Sequence, residues 1–239
     1  MKKVAIMQPY FLPYIGYFQL IAAVDEFVIY DNIQFSKKGW IHRNRMLQNG
    51  KDEYFSLTLK KDSDYLDVNH RFLSEGWPDE REKTLRKIKE NYRKASHFES
   101  IFPEIEEIFR NEQTNLFDFI FSSLKKICNL LDINTPLVIS SEIDCDHTLK
   151  SQDRVMAICS ALGATDYLNP IGGWELYNTA DFVQKNINLH FQKIRKIEYQ
   201  QMPGREFVPW LSILDVMMFN DLPTIKNWLG EFDYLRKES

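Results

Sequence analysis

The stretch KKVAIMQPYFLPYIGYFQLIAAVDEFVIYDNIQFSKKGWIHRN, residues 2–44, decides how the rest of the chain folds. An apolar run at residues 4–7 ends abruptly at Gln8. An apolar pattern with helical spacing begins at Gly16, and a second strand-like run starts at Phe27. Strand, loop, helix and strand within roughly thirty residues predict a βαβ unit with parallel strands.

Two segments of this stretch follow strands and are predicted to share a ligand site. In open α/β sheets, ligands bind beyond the carboxyl ends of the strands, where residues 8–17 and 31–44 would lie. The first segment is dense in aromatic side chains, which pack around tight turns but also stack on sugars and bases. Its glycine allows close backbone approach, and the helix start offers free N–H groups to an anion. The residues assigned to substrate or nucleotide binding here are Gln8, Tyr10, Tyr14, Gly16, Tyr17, Trp40 and Asn44.

A charged and aromatic cluster, KKGWIHRN at residues 37–44, contains the candidate catalytic pair. Arg43 has the planar guanidinium that holds a phosphate or carboxylate bidentately. His42 belongs to the residue type that titrates nearest neutrality and serves as acid or base. The structural alternative is a solvated basic loop with no catalytic role.

Beyond these residues the pattern predicts a hairpin followed by a helical section. Asn49-Gly50 lies between two apolar pairs, as in the turn of a β-hairpin. Lys60 ends the second hairpin strand and is a further binding candidate, with plain solvated charge as its alternative. A short strand is predicted over residues 65–70. Apolar residues at helical spacing then predict helices within residues 77–131.

The α/β pattern resumes after the helical section. Strands are predicted at residues 136–140, 165–168 and 189–192, with helices between them, which indicates further parallel pairing. The loop after the second of these strands holds Gly172 and Tyr177. We assign both to ligand binding because this loop falls on the same predicted sheet edge.

The carboxyl-terminal part completes the predicted fold. Ser212 is predicted to cap a helix with Asp215 in a capping-box arrangement, and residues 222–235 to form a helix or turn. The fold class is therefore α/β, with a Rossmann-like parallel-sheet core. We expect a single domain over residues 1–239, with a helical section inserted at 77–131.

Composition excludes several functional classes. The chain of 239 residues has a formal net charge of −4, which gives no general electrostatic footprint for nucleic acid. No stretch approaches the ~20 apolar residues that span a bilayer, and the N-terminus is not a secretory signal. The three scattered cysteines predict free thiols, and no His, Asp or Glu spacing predicts a metal site. We expect a soluble cytoplasmic protein.

The first loop is similar to the signature of nucleotidylyltransferase-like α/β proteins. In those proteins a strand leads to an H-x-G-H motif at a helix start. Here Tyr14-Ile15-Gly16-Tyr17 has the same spacing, with tyrosine in both histidine positions. The likeness implies ATP or a nucleotide-linked substrate. The tyrosines remove the residues that stabilise the phosphoryl-transfer transition state in that group.

Five sequence blocks, spread over most of the chain, resemble the WbqC-like family, which occurs in bacterial O-antigen and capsule gene clusters. The blocks are VAIMQPYFLPYIGYFQLI (4–21), WIHRN (40–44), NYRKASHF (91–98), LGATDYL (162–168) and FVPWLSILD (207–215). The resemblance implies a role in O-antigen biosynthesis, for which transfer of glycine onto a sugar has been proposed. It supplies no catalytic residues.

Three functional hypotheses follow from these observations. The first is an enzyme that acylates an amino sugar with an amino acid such as glycine. The second is a nucleotidyl- or glycosyltransferase that acts on sugar nucleotides. The third is a protein that binds a nucleotide sugar without catalysis. In each case the partner is a small molecule, a nucleotide sugar, and the oligomeric state is open, with a homodimer as one option.

Overall fold

The protein alternates strands and helices along most of its length. A computed structural model describes residues 1–237 of the chain. The strands are β1 (Lys3–Met7), β2 (Glu26–Ile29), β3 (Arg43–Gln48), β4 (Lys51–Ser56), β5 (Leu137–Ile139), β6 (Asp166–Pro170), β7 (Asn188–Ile194) and β8 (Phe232–Arg236). The helices are α1 (Ile15–Ala22), α2 (Trp77–Tyr92), α3 (Phe98–Phe109), α4 (Leu116–Leu130), α5 (Ser151–Ala161), α6 (Thr179–Gln184), α7 (Ile213–Phe219) and α8 (Leu222–Trp228).

Six of the strands form one sheet in the order β5-β2-β1-β6-β7-β8. Neighbouring strands are parallel except β7 and β8, which run antiparallel. β3 and β4 form a separate antiparallel hairpin that turns at Asn49 and Gly50, both with positive φ. The predicted α/β class and the predicted hairpin are therefore confirmed.

The opening unit folds as its sequence pattern predicts. β1 and β2 are parallel neighbours, paired from Val4–Glu26 to Met7–Ile29, and α1 lies between them in the chain. Part of the loop before α1 belongs to the core, because Phe11 is fully buried and packs edge-on against the ring of Phe109. Packing thus accounts for some of the aromatic residues in this loop, and the others are free to serve a site.

Hydrophobic cores cover both faces of the large sheet. Val4 and Ile6 belong to a core shared with α5 and α6. Ala5 and Phe27 belong to a larger core shared with α1, with helices α2–α4 and with α7. Side chains alternate along a strand, so successive residues of β1 serve opposite faces. Covered faces leave the strand ends as the place where the sheet opens to ligands.

The helices predicted between β4 and β5 are present. In α2, Leu85, Ile88 and Tyr92 are buried at helical spacing, while most of its other residues face solvent. The α4 helix starts at a capped position, because the side-chain oxygen of Asn115 accepts hydrogen bonds from two backbone N–H groups. Among residues 1–237, no helix combines the length and the apolar character needed to cross a lipid bilayer.

The predicted strand at residues 65–70 is wrong. This segment contains a short 3₁₀ turn, Val68–His70, rather than a strand. The backbone of this segment bonds to residues 31–33 and to its own turn. The N–H groups of Val68 and Asn69 donate to the carbonyls of Ile33 (2.9 Å) and Asp31 (3.0 Å), and that of His70 donates to Asp67. These bonds take the place of the ladder that a strand would need.

The prediction for residues 222–235 was incomplete. The α8 helix ends at Trp228, and the chain then forms β8, which pairs with β7 from Ile194–Phe232 to His190–Arg236. β8 is an edge strand with partly exposed side chains on both faces. Such a strand lacks the clean apolar alternation by which a half-buried strand is recognised.

Candidate functional site

A cavity of about 270 Å³ lies where the strand order of the large sheet reverses direction, at β1 and β6. Met7 ends β1, Pro170 ends β6, and Gln192 lies near the end of β7; all three line the cavity. This is the crevice beyond the carboxyl ends of the strands where open α/β sheets bind ligands. We call it the aromatic cavity, after the side chains that dominate it: Tyr10, Tyr14, Tyr17, Trp40 and Trp210.

The start of α1 forms one wall of the aromatic cavity. Tyr14 precedes the helix, and its ring folds back over Gly16 so closely that a Cβ atom there would lie 2.0 Å from the phenol oxygen. The sequence predicts that Gly16 admits a ligand to the helix backbone. In the structure the group that approaches Gly16 is the Tyr14 side chain. The Tyr-x-Gly spacing is needed because no side chain would fit at position 16 beneath that ring.

The three tyrosines of this wall are neutral hydrogen-bonding groups. Burial raises the pKa of Tyr10, Tyr14 and Tyr17, so none of them supplies a phenolate at neutral pH. The Tyr17 hydroxyl donates a 2.8 Å hydrogen bond to the backbone carbonyl of Gln8. The Gln8 side chain is exposed and does not line the cavity. Tyr17 is therefore held in place. The Tyr10 hydroxyl donates only a long hydrogen bond of 3.5 Å to Oε1 of Gln8, and the Tyr14 hydroxyl has no partner among the described residues.

Asn44 lines the cavity, but its amide is already engaged with protein groups. Its Nδ2 donates to the carbonyls of Phe11 (3.2 Å) and Leu12 (2.8 Å). Its Oδ1 accepts from the backbone N–H of Arg45 at 2.8 Å. These bonds fix the loop at Leu12, where the backbone has a positive φ of 43°. Asn44 thus positions the opening loop, which we define as the residues between β1 and α1.

Arg45 is a cavity residue that the sequence analysis missed. Its Nη1 pairs with Asp52 at 3.0 Å, and its Nη2 donates to the carbonyl of Trp210 at 3.1 Å. The guanidinium lies 5.5 Å from the centre of the Trp40 ring, and its Nε is buried without a hydrogen-bond partner. Arg45 therefore links the β3–β4 hairpin to the segment that contains Trp210. The charge of Arg45 is largely neutralised by Asp52.

The closing block, residues 207–215, is pinned to the opening loop. The Ser212 hydroxyl donates to the carbonyl of Leu12 (2.7 Å) and accepts from the N–H of Leu214, which confirms Ser212 as the N-cap of α7. The backbone N–H of Ile213 donates to the carbonyl of Pro13 at 2.9 Å. Two segments some 200 residues apart in sequence thus build one cavity.

The sequence predicts that Asp215 completes a capping box, and this prediction is wrong. It is fully buried and accepts hydrogen bonds from the hydroxyls of Tyr92 (2.7 Å) and Tyr199 (2.6 Å) and from Nε2 of Gln201 (2.7 Å). Burial raises the pKa of Asp215, and the three donated bonds oppose that shift. The carboxyl group is thus committed to holding α2 and the closing block together.

Gln192 was also missed, and its amide is left open. The side chain is only 3% exposed, and its Nε2 has no hydrogen-bond partner within the described part of the chain. A buried amide without a partner is costly, so it marks a position that a ligand or an ordered water satisfies. The available signal was its place as the last residue of the strand predicted at residues 189–192.

The candidate catalytic pair lies outside the aromatic cavity. The His42 ring packs 5.2 Å from the ring of Phe35, and burial together with Arg43 and Arg71 lowers the pKa of His42 to about 4. The Arg43 side chain donates from Nε to the carbonyl of Gly39 at 3.0 Å and so closes the preceding turn. Neither residue lines the cavity, and their catalytic roles stay predictions.

The remaining binding candidates lie elsewhere. Lys60 is exposed, and its backbone N–H pairs with Phe72. Gly172 is exposed in the 3₁₀ segment Ile171–Leu176 that follows β6. Tyr177 lines a second, larger cavity on the carboxyl side of the sheet. The structure therefore brings six of the predicted residues to the aromatic cavity: Tyr10, Tyr14, Gly16, Tyr17, Trp40 and Asn44.

Comparison with known proteins places the chain in a family. A model of the WbqC-like protein family matches residues 8–227. The uncharacterized protein Rv1507c of Mycobacterium tuberculosis is 32% identical over 222 residues, which cover 92% of this chain and 94% of that protein. No solved structure matches. The matched region includes both the opening loop and the closing block, and the chain belongs to the WbqC-like protein family.

Proposed function

We propose that this chain is a transferase of bacterial surface-polysaccharide (O-antigen) biosynthesis. It holds a nucleotide-linked amino sugar in the aromatic cavity and acylates the amine, with glycine as the acyl group. One observation carries the proposal: aromatic faces surround an unpartnered amide, that of Gln192, where the strand order reverses. Aromatic faces stack on sugar rings, and a few placed polar groups fix their orientation. The polysaccharide pathway and the glycyl group rest on family resemblance.

The sheet topology supports a nucleotide-linked substrate. Numbering only the strands of the large sheet along the chain, its order reads 3-2-1-4-5-6. This is the order of doubly wound sheets that bind nucleotides at the reversal point. We propose a Rossmann-like core on this basis, in a single domain into which helices α2–α4 are inserted. A nucleotide part of the ligand would extend from the cavity along the strand ends.

The proposed reaction forms an amide. The amine nitrogen of the sugar attacks the carbonyl carbon of a glycyl adenylate, which is made from glycine and ATP with release of pyrophosphate. The new C–N bond replaces the C–O bond to phosphate, AMP leaves with the electron pair, and the amine releases one proton to water. The residues of the cavity contribute binding and orientation. Trp40 and Trp210 hold the ring, and the neutral hydroxyls of Tyr10 and Tyr14 donate to its oxygens.

One observation favours the non-catalytic alternative. No imidazole or carboxylate lines the aromatic cavity within residues 1–237. A protein that only binds a nucleotide sugar needs neither group, whereas most transferases use one as an acid or base. The nucleotidyltransferase alternative has less support, because Tyr14 covers Gly16 and the Tyr17 hydroxyl is committed to Gln8.

Calorimetric titration with UDP-, GDP- and dTDP-linked hexosamines tests the binding part of the proposal. We expect one of them to bind, and Trp210→Leu to weaken that binding about fivefold or more, because aromatic stacking contributes ~1–3 kcal/mol. Tyr65→Leu is the matched control, since Tyr65 is 84% exposed and does not line the cavity. Equal affinities of Trp210→Leu and the parent protein would refute the aromatic cavity as the site.

Mass spectrometry then separates the two functions. The protein is incubated with glycine, ATP and the nucleotide sugar that binds. A product heavier by one glycyl group supports the transferase. Binding with no such product, and no exchange of pyrophosphate into ATP, favours the non-catalytic alternative.

A further inference from the structure

The second cavity has a volume of about 660 Å³ and lies beside the carboxyl end of β2. Tyr30, which follows β2, and Tyr177, which lies beyond β6, both line it. The start of α5 contributes Ser151 and Gln152. We call it the Arg154 cavity, after the cation on its wall.

Arg154 has no carboxylate partner. No acidic oxygen of residues 1–237 lies within ion-pair distance of it, whereas the other cavity's Arg45 is paired with Asp52. Its Nη1 and Nη2 both donate to Asn32, to the backbone carbonyl (3.0 Å) and to Oδ1. Its Nε is buried and has no partner. Arginine has five N–H donors, so three of them are left for a ligand.

A chain of hydrogen bonds fixes the guanidinium. His147 Nε2 pairs with the carbonyl of Ile143 at 2.9 Å, and its Nδ1 lies 3.2 Å from Nδ2 of Asn32. This orients the Asn32 oxygen toward Arg154, whose guanidinium lies 5.0 Å from the centre of the Tyr30 ring. A cation that is held in one geometry before the ligand arrives loses little conformational entropy on binding.

The charge of the Arg154 cavity is opposite to that of the whole protein. Two cations, Lys150 and Arg154, and one carboxylate, Asp67, line it, while the chain carries a net charge of −4. A partly buried cation without a counter-ion is unfavourable until an anion approaches. Backbone N–H groups at the start of α5, where Lys150 provides no side-chain cap, add to the positive potential.

We infer that the Arg154 cavity binds the phosphate or carboxylate group of a ligand, with Arg154 as the residue that holds it. Both groups present the pair of oxygens that a guanidinium binds bidentately. The inference does not depend on the aromatic cavity or on acyl transfer, because it concerns the anion alone. A free phosphorylated compound and a carboxylic acid are the two sources of this chemistry.

Nuclear magnetic resonance on the full chain tests the inference with two simple probes, inorganic pyrophosphate and malonate. Each is titrated at low ionic strength while the backbone amides and the Nε–H of Arg154 are followed. We expect saturable shifts at residues 149–155 and at that Nε–H, with the tighter probe identifying the source. Shifts that are scattered over the surface, or that do not saturate, would overturn the inference.

Three variants complete the experiment. Arg154→Gln should weaken binding at least tenfold, and Asp67→Asn should tighten it about threefold, because a negative charge on the wall is removed. Arg86→Gln, an exposed arginine on α2, should leave binding unchanged. Asp67→Asn keeps the size of the side chain, so it remains informative even if Arg154→Gln fails to fold. Unchanged or weaker binding by Asp67→Asn would contradict an anion in this cavity.

Discussion

The aromatic cavity and the Arg154 cavity open on the same side of the sheet and are built on different principles. In the first, the volume is about 270 Å³ and the polar groups of Asn44 and Arg45 are bonded to other parts of the protein. In the second, the volume is about 660 Å³ and the cation Arg154 lacks a carboxylate partner among the described residues. The aromatic cavity therefore suits an uncharged ring, and the Arg154 cavity suits an anion.

The difference separates residues that hold the fold from residues that await a ligand. A bonded polar group contributes to stability, so its removal leaves buried partners unsatisfied. An unpartnered buried group costs stability in the free protein, so its removal should cost little or even stabilise. The two kinds of residue are therefore distinguishable by unfolding experiments alone, before any ligand is known.

The largest effect is expected for Asp215→Ala. Three buried donors, from Tyr92, Tyr199 and Gln201, would lose their acceptor together. Each buried donor left without an acceptor costs about 1–3 kcal/mol, so the free energy of unfolding should fall by at least about 3 kcal/mol. Urea denaturation measures the change.

Two further variants set the scale for this prediction. Glu206→Ala removes an exposed carboxylate in the same part of the chain and should change stability by less than ~0.5 kcal/mol. Arg154→Gln should cost less than about 1 kcal/mol, since the guanidinium bonds only to one asparagine. If Arg154→Gln cost as much as Asp215→Ala, the distinction between bonded and unpartnered polar groups would fail.

Asp215 also shows how far local sequence reasoning reaches. Ser212 caps α7 as predicted, because capping depends on residues within one helical turn. Asp215 turns instead toward Tyr92, which is 123 residues away in the chain. The same limit applies to the strands: β1, β2 and the hairpin follow from periodicity, while β8 depends on finding the edge of a sheet that is complete only in three dimensions.

An intermediate effect of opposite sign is expected for Gln192→Leu. Leucine is similar in size to glutamine and removes an amide nitrogen that is buried without a partner. The free energy of unfolding should rise by about 1 kcal/mol, while affinity for the cavity's ligand should fall. Thermal unfolding and calorimetry measure the two quantities on the same sample.

Gln19→Leu is the matched control for this variant. Gln19 is equally inaccessible and its Oε1 also lacks a partner, but its Nε2 donates to the carbonyls of Trp228 (2.7 Å) and Glu231 (3.2 Å). Its replacement should destabilise the protein by about 1–2 kcal/mol. A similar loss in both variants would show that Gln192 is satisfied in the free protein, and that the aromatic cavity holds no open amide.

The aromatic cavity was only partly predictable, for a physical reason. Tyr10, Tyr14, Tyr17, Trp40 and Asn44 lie within the opening stretch, so strand-end geometry was enough to group them. Other lining residues come from distant parts of the chain, and only tertiary packing brings them together. These are Pro170, Gln192 and Trp210.

The last effect, comparable in size to that of Gln192→Leu, concerns His42, which lies outside the aromatic cavity and the Arg154 cavity. Its pKa is lowered to about 4 from an ordinary value of 6.5. Between pH 6.5 and pH 4, His42 is therefore protonated in the unfolded chain and neutral in the folded chain. Stability should therefore fall as the pH drops from about 6.5 towards 4. Because solvent reaches the ring, we expect only about 1 kcal/mol between pH 7 and pH 5.

Urea denaturation of His42→Asn at both pH values should show less of this loss, while His70→Asn, at an exposed histidine, should show all of it. The pH dependence also bears on the comparison between the cavities. A His42 that acts only through packing changes stability and leaves ligand affinity at pH 7 intact. If His42→Asn instead abolished glycyl transfer with unchanged stability and binding, His42 would be catalytic, as its sequence context predicts. The ligand would then have to reach past Trp40 to a third region, beyond the two cavities described.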